Sequence, residues 1–226
     1  MPLAEDKFFN AIKYVLGEVH VIHKPELYIH TAYQRTHYQN IVNELAESIL
    51  ENFNSTYDFS NRTTNVDGNI VDHPQYGTRL IEFDEYQHFT PMRAKVIKLS
   101  EQILPLDFHN HYLMLIETQE VKDKMQAVTR RSGFRKPVAG FQFENGRMFQ
   151  RAFFDFLKDY AHLSEEYAGF SPIIRFTMPD FEAIGGNEFL RIPDNKLREM
   201  IDQQLCPAPH GGPDILSCCC RGGITH

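Results

Sequence analysis

The densest cluster of reactive side chains in this sequence is Glu82-Phe83-Asp84-Glu85-Tyr86-Gln87-His88-Phe89-Thr90. It follows apolar Leu80 and Ile81 directly, so it reads as a strand running into a polar turn. Side chains alternate along a strand, which puts Glu82 and Asp84 on one face. Two carboxylates about 7 Å apart on one face repel unless something neutralises them. A hard divalent cation does so, and Mg²⁺ typically takes one or two carboxylates with waters and substrate oxygens. Asp67 lies in a second strand candidate, 66–72, and a hairpin joining it to 79–84 brings Asp67 alongside. Asp67 with Glu82 or Asp84 is therefore the expected metal-binding pair for Mg²⁺ or Mn²⁺. A metal so held can activate a bound water and clamp a phosphate. His88 suits the positioning of that water, since imidazoles titrate near neutral pH. Gln87 stands beside it.

The same residues carry a resemblance. The string Ile81 to Thr90, IEFDEYQHFT, resembles the VEFDE-x-QHFT pattern of bacterial proteins related to restriction and mismatch-repair endonucleases. These belong to the PD-(D/E)XK nuclease superfamily. A later string, Arg147 to Asp155 (RMFQRAFFD), is similar to the RDEQRAWYD helix of that family. Together the two cover roughly residues 60–180. The resemblance implies a restriction-endonuclease-like fold and metal-dependent cleavage of DNA, in restriction or defence. It makes Asp67 the first acid of the superfamily pattern and Glu82 the second. The lysine usual two positions on is Asp84 here. In another register, Glu85-Tyr86-Gln87 supplies an acid-x-Gln variant, Gln being an accepted substitute. The resemblance favours all three of Asp67, Glu82 and Asp84 as the metal site and gives Gln87 a water-positioning role too. Glu44 or Glu47 on the preceding helix corresponds to a further helix glutamate that serves as a ligand in the superfamily. The missing lysine also opens a second reading, a non-catalytic DNA- or protein-binding member of the same fold.

A phosphate-rich substrate needs cations, and the chain concentrates them. Arg130, Arg131, Arg135, Lys136, Arg147 and Arg151 stand against the single acid Glu144, giving +5 over 130–151. The remainder must carry −12 to reach the net −7. That asymmetry fits one basic DNA-binding groove on an acidic body and excludes a protein that coats nucleic acid over its whole surface. Many nucleases that cut both strands work as dimers, so a homodimer is compatible, but no segment marks an interface.

Histidines support a third reading, a metal hydrolase acting on another substrate. His20, His23, His30, His37, His109 and His111 could ligate zinc, though no spacing among them demands it. All four cysteines, Cys206, Cys218, Cys219 and Cys220, lie at the far end, in a Pro- and Gly-rich stretch without helical or strand period. A disulfide framework spreads cysteines through the fold, so 206–226 reads as a flexible tail.

The elements that must position the cluster can be read from apolar spacing. Helices are expected over 5–16, 37–53, 92–103, 122–131, 146–162 and 195–204, and strands over 66–72, 79–84, 112–117 and 172–178. In the second helix Ile41, Leu45, Ile49 and Phe53 form the apolar stripe, and Gly17 stops the first. The sum is α/β (α+β), a central mixed sheet of about four to five strands flanked by helices. One domain is expected over 1–205, with its core at about 37–180. The 226 residues, 42% hydrophobic, suffice for a real core and exclude wholesale disorder. No apolar run approaches the roughly 18 residues of a membrane span. The first residues lack the pattern of a signal peptide, so a cytoplasmic protein is expected.

Overall fold

A computed structural model describes residues 2–31, 33, 37–53, 55, 63–131, 133–138, 140–186 and 188–205. The expected tail, with its four cysteines, lies outside the described residues. Strands β1 (Val21–His23), β2 (Tyr28–His30), β3 (Thr63–Asn65), β4 (Gly68–His73), β5 (Gly77–Asp84) and β6 (Ser171–Thr177) alternate with helices. The helices are α1 (Pro2–Leu16), α2 (Asn40–Asn52), α3 (Pro91–Glu101), α4 (His109–Glu117), α5 (Gln119–Arg131), α6 (Gly146–Asp159), α7 (Met178–Gly185) and α8 (Asp194–Leu205).

The expected hairpin is present. β4 and β5 pair antiparallel in the register Gly68↔Ile81 and Asn69↔Leu80, and the turn between them uses left-handed backbone at Asp72 and Gly77. β1 joins the far side of β4 antiparallel, and β6 joins β5 in parallel, with Glu82 opposite Arg175. The result is a mixed four-stranded sheet in the order β1-β4-β5-β6; β2 and β3 form a separate two-stranded ribbon. A parallel partner for β5 requires a long crossover, and α3 to α6 provide it.

Alternation divides the sheet between two cores. Ile81, Phe83, Ile174 and Phe176 face α1, α7 and α8, where Phe8, Ile12, Phe181, Leu197 and Ile201 meet them. Phe8 stacks on Phe83 with ring centroids 4.7 Å apart. Leu80 and Ile173 face the other way, toward Val42 and Ile49 of α2, Val96 of α3, and Phe153 and Phe156 of α6. Gly68 is required by close approach: a Cβ there would meet the Phe9 ring at 2.2 Å. No helix among the described residues is long and apolar enough to cross a membrane.

Three expectations need correction. The run 112–117 is helix α4, not a strand, because Tyr112 and Ile116 are buried one turn apart while Met114 between them is exposed. A short apolar run fits either period, and burial on every fourth residue is helical. In α2 the buried stripe is Val42, Leu45, Ala46, Ile49 and Leu50, turned away from the expected one, so Ile41 lies on its edge. The short strand β3 and helix α7 were absent from the sequence reading; three residues show no usable period, and α7 starts at Thr177, whose side chain caps it by accepting from Asp180 N.

Candidate active site

On the α6 side of the sheet, alternation leaves Glu82 and Asp84 of β5 and Arg175 of β6 pointing where hydrophobic residues would ordinarily sit. α6 covers that face. Its apolar stripe packs into the second core, and Asp155, Lys158 and Asp159, which look in sequence like a solvated face, are buried against the strands. A layer of charge is thus sealed between helix and sheet. Buried charges persist only when paired and hydrogen-bonded.

Asp67, directly before β4, and Glu82 meet as the hairpin register requires. Asp67 N donates to Glu82 Oε1 at 3.1 Å, and Phe83 N donates to Asp67 Oδ2 at 3.0 Å. Glu82 is completely buried, and its second oxygen accepts from Lys158 Nζ at 2.6 Å. Two expected residues therefore come together, with a lysine no sequence pattern had singled out. Glu5 of α1 is close enough for its charge to act on Asp67.

Asp84 is not part of that group, although it shares the face. Both its oxygens accept from Arg175 Nη1, at 2.9 and 2.7 Å, His88 Nδ1 lies 3.0 Å away, and the Tyr112 hydroxyl donates to it. Arg175 also reaches Asp159 at 2.7 Å, and Asp159 accepts from Arg93 at 2.6 Å. His88 Nδ1 is shared with Asp155 Oδ2 at 3.0 Å. Arg151 can only donate, so its 2.6 Å contact makes His88 Nε2 an acceptor and leaves the ring proton on Nδ1. The expected three-carboxylate metal centre is accordingly not formed. Among the described residues no group of three or more His, Cys, Asp or Glu side chains is placed to hold a metal ion. The physical reason is that Arg175 Nη1 already occupies both Asp84 oxygens in a charge-assisted contact.

The remaining expected site residues divide clearly. A cavity of about 360 Å³ opens beside Lys158, lined by Thr63, Thr64 and Asn65 of β3, by His88, and by Arg147, Gln150, Arg151, Phe154 and Asp155 of α6. Arg147 and Arg151 of the expected basic set therefore line the cavity with Lys158, whereas Asp67 and Glu82 are not in its lining. Arg130, Arg135 and Lys136 are exposed and do not line the cavity, and the Arg131 side chain lies outside the described residues. Gln87 donates to Glu85 at 3.1 Å; neither lines the cavity or bonds to Asp67 or Glu82. Glu44 and Glu47 lie on the exposed face of α2, because the opposite face is core, and are not brought to the site. Thr90 of the resembling string caps α3 by accepting from Arg93 N at 3.1 Å.

Compared with known proteins, the chain matches no family model, no curated protein and no solved structure. The chemistry must therefore be read from the site alone.

The histidine centre is not assembled. His23 bonds to Glu5 at 2.9 Å, and His111 bonds to Asp180 at 2.9 Å. His109 is buried at the start of α4, which pushes its pKa down to about 4. His30 and His37 are exposed, and His20 meets only His73 among the histidines, with ring centroids 5.0 Å apart.

Charge balance tests whether a divalent cation fits. The buried layer holds five acids, Asp67, Glu82, Asp84, Asp155 and Asp159, against three cations, Arg93, Lys158 and Arg175. The excess is two negative charges: one on the Asp67–Glu82 pair, which shares Lys158, and one among Asp84, Asp155 and Asp159, where His88 Nδ1 lies against Asp84 and Asp155. Burial, then the Asp67 charge, push the Glu82 carboxyl from 4.5 up to about 7. Burial likewise raises Asp67. Burial opposes the charge on Lys158 too, yet Glu82 and Asp67 hold its pKa above the ordinary value. Asp155 moves the other way, held well below its usual range against burial by the hydrogen bond from His88 Nδ1 and by the Arg175 charge. Joint ionisation of Asp67 and Glu82 is therefore disfavoured; a hard cation is one group that would relieve it, although both Glu82 oxygens already accept hydrogen bonds.

A pH dependence follows. Glu82 holds its proton more tightly in the folded chain, so it favours folding below pH 4.5 and gives up that contribution as pH rises toward 7. With divalent ions chelated, thermal unfolding from pH 4.5 to 7.5 will show Glu82→Gln gaining on the wild type as pH rises, on the order of 1–3 kcal/mol. Parallel curves would place Glu82 in an ordinary environment.

Proposed function

We propose that this chain is a metal-dependent endodeoxyribonuclease of the PD-(D/E)XK type in which Lys158 of α6 stands in for the lysine missing at position 84. The observation that carries this reading is the 2.6 Å contact between Lys158 Nζ and Glu82 Oε2, beside Asp67. An acid before one strand, an acid on the next and a lysine are thereby held together, from three separate elements. The restriction-endonuclease-like assignment draws further support from the hairpin with its parallel fourth strand.

Asp67 and Glu82 would hold Mg²⁺ or Mn²⁺. When bound, such an ion supplies charge neutralisation and Lewis-acid polarisation at a phosphate oxygen. Lys158 contributes a fixed ammonium with three donors, one of them on Glu82, leaving others to orient water toward the scissile phosphorus. Its burial under α6 limits its motion, so water held there is pre-positioned. Arg147 and Arg151 place cations where phosphate oxygens would sit. Asp84 serves the site indirectly: by binding His88 and Arg175 it fixes the end of β5 beneath α6.

The test is incubation of the purified chain with supercoiled plasmid and Mg²⁺ or Mn²⁺. Nicking or linearisation is expected, abolished by EDTA and reduced at least about 100-fold by Asp67→Asn or Glu82→Gln. Wild-type rates in both variants would overturn the assignment. The filling of position 84 by a guanidinium-bound Asp favours a second reading, a non-catalytic DNA binder. Retarded plasmid without cleavage, weakening steeply with salt, would select it.

A further inference from the structure

Two guanidiniums converge on the cavity beside Lys158, and neither is spent on a carboxylate. Arg147 and Arg151 lie four residues apart on α6 and so share a face. Among the described residues neither forms an ion pair; Arg147 donates to Gln150 Oε1 at 2.5 Å, and Arg151 donates to His88 Nε2 at 2.6 Å and packs 5.7 Å from the Phe134 ring centre. These neutral contacts orient both groups without cancelling their charge. Asp155, the one carboxylate in the lining, is committed to His88. Thr63, Thr64 and Asn65 of β3 and Phe154 complete the lining, adding hydroxyl, amide and apolar side chains to it.

We infer that this cavity receives the terminal phosphate monoester of a nucleic-acid strand. The assignment rests on the nuclease reading for the class of ligand, and on the cavity itself for the preference. A phosphate monoester carries about −1.5 to −2 at pH 7, against −1 for an internal diester, and so matches two guanidiniums. A volume of about 360 Å³ is at the small end of ligand sites and suits one nucleotide, not a duplex surface. The bases expected to track a duplex backbone, Arg130, Arg135 and Lys136, stay outside it. The loop Gly133–Lys136 adjoins the cavity mouth, since Arg147 N donates to Lys136 O at 3.1 Å. A strand whose end enters between Arg147 and Arg151 would then meet Lys158, the one member of the Asp67–Glu82–Lys158 group in the cavity lining.

The experiment measures binding by the full chain, in EDTA, of one single-stranded oligonucleotide made with a 5′-phosphate, a 3′-phosphate, or hydroxyls at both ends. One phosphorylated form is expected to bind at least about tenfold more tightly than the hydroxyl form, a difference of about 1.4 kcal/mol. Arg147→Ala and Arg151→Ala should each bring that form down to the affinity of the hydroxyl-ended strand. Inorganic phosphate and a nucleoside monophosphate should compete only at much higher concentration. Equal affinities for all three strands would overturn the inference, while plasmid cleavage would still stand or fall separately. Binding of the free monophosphate as tightly as the phosphorylated strand would also overturn it, and would assign the cavity to a small phosphomonoester instead.

Discussion

Arg175→Ala will destabilise the fold by about 3–5 kcal/mol, the cost of removing one partner from a buried ion network. The Arg175 side chain is wholly buried and donates to both Asp84 oxygens, to Asp159 Oδ1 and to the Asp155 carbonyl. Its loss leaves Asp84 under α6 with His88 and Tyr112 but no guanidinium, and Asp159 with Arg93 alone. Lysine offers the charge without the planar fork and should recover only part of the loss. Arg175→Met combined with Asp84→Asn should recover more, because both ends of the pair become neutral together. The chain has no tryptophan, so urea unfolding is best followed by far-UV circular dichroism. A loss below about 1 kcal/mol would mean that the network is screened as surface pairs are.

The second large effect is on turnover. Lys158→Met should lower plasmid cleavage by about 100-fold or more, the range expected when a positioned proton-handling group is removed. It also leaves Glu82 buried without its cation. A buried carboxyl answers by keeping its proton, so the fold should hold best near pH 6 and weaken above it. Lys158→Met with Glu82→Gln removes both charges and should regain stability at pH 8 without regaining activity. Cleavage by the folded single variant at the wild-type rate would remove Lys158 from the mechanism.

Asp67 and Glu82 were legible in the sequence because strand alternation and a short hairpin decide their meeting, and both rules act within about 15 residues. Asp84 obeyed the same alternation, and what it could not reveal was its partner: Arg175 lies 91 positions further on, in a strand that read correctly as a strand but not as a neighbour of β5. Lys158 was hidden differently. Asp155, Lys158 and Asp159 occupy one side of an amphipathic helix, the usual pattern of a solvated face, and only the charges on β5 and β6 turn that side inward. The signal available was the surplus itself: strands carrying Glu82, Asp84 and Arg175 on one face need a charged helix to cover them. The run 112–117 failed for want of length, since six apolar residues satisfy two periods equally well. Of the basic stretch, Arg147 and Arg151 line the cavity while Arg130, Arg135 and Lys136 do not, a division that charge counting along the sequence does not reveal.

The parallel pairing of β5 with β6 sets the order in which this chain can become competent. The β4–β5 hairpin needs only local closure and can form early, bringing Asp67 to Glu82. Glu82 waits for Lys158, 76 residues later, and Asp84 waits for Arg175. During synthesis from the N-terminus, all four helices of the crossover must emerge before β6 can dock and lock α6 over the carboxylates. An unfinished chain therefore displays two repelling acids and no lysine. The buried charge layer is complete only with the last strand of the sheet, so under the proposed nuclease reading completion of folding would itself be the safety catch.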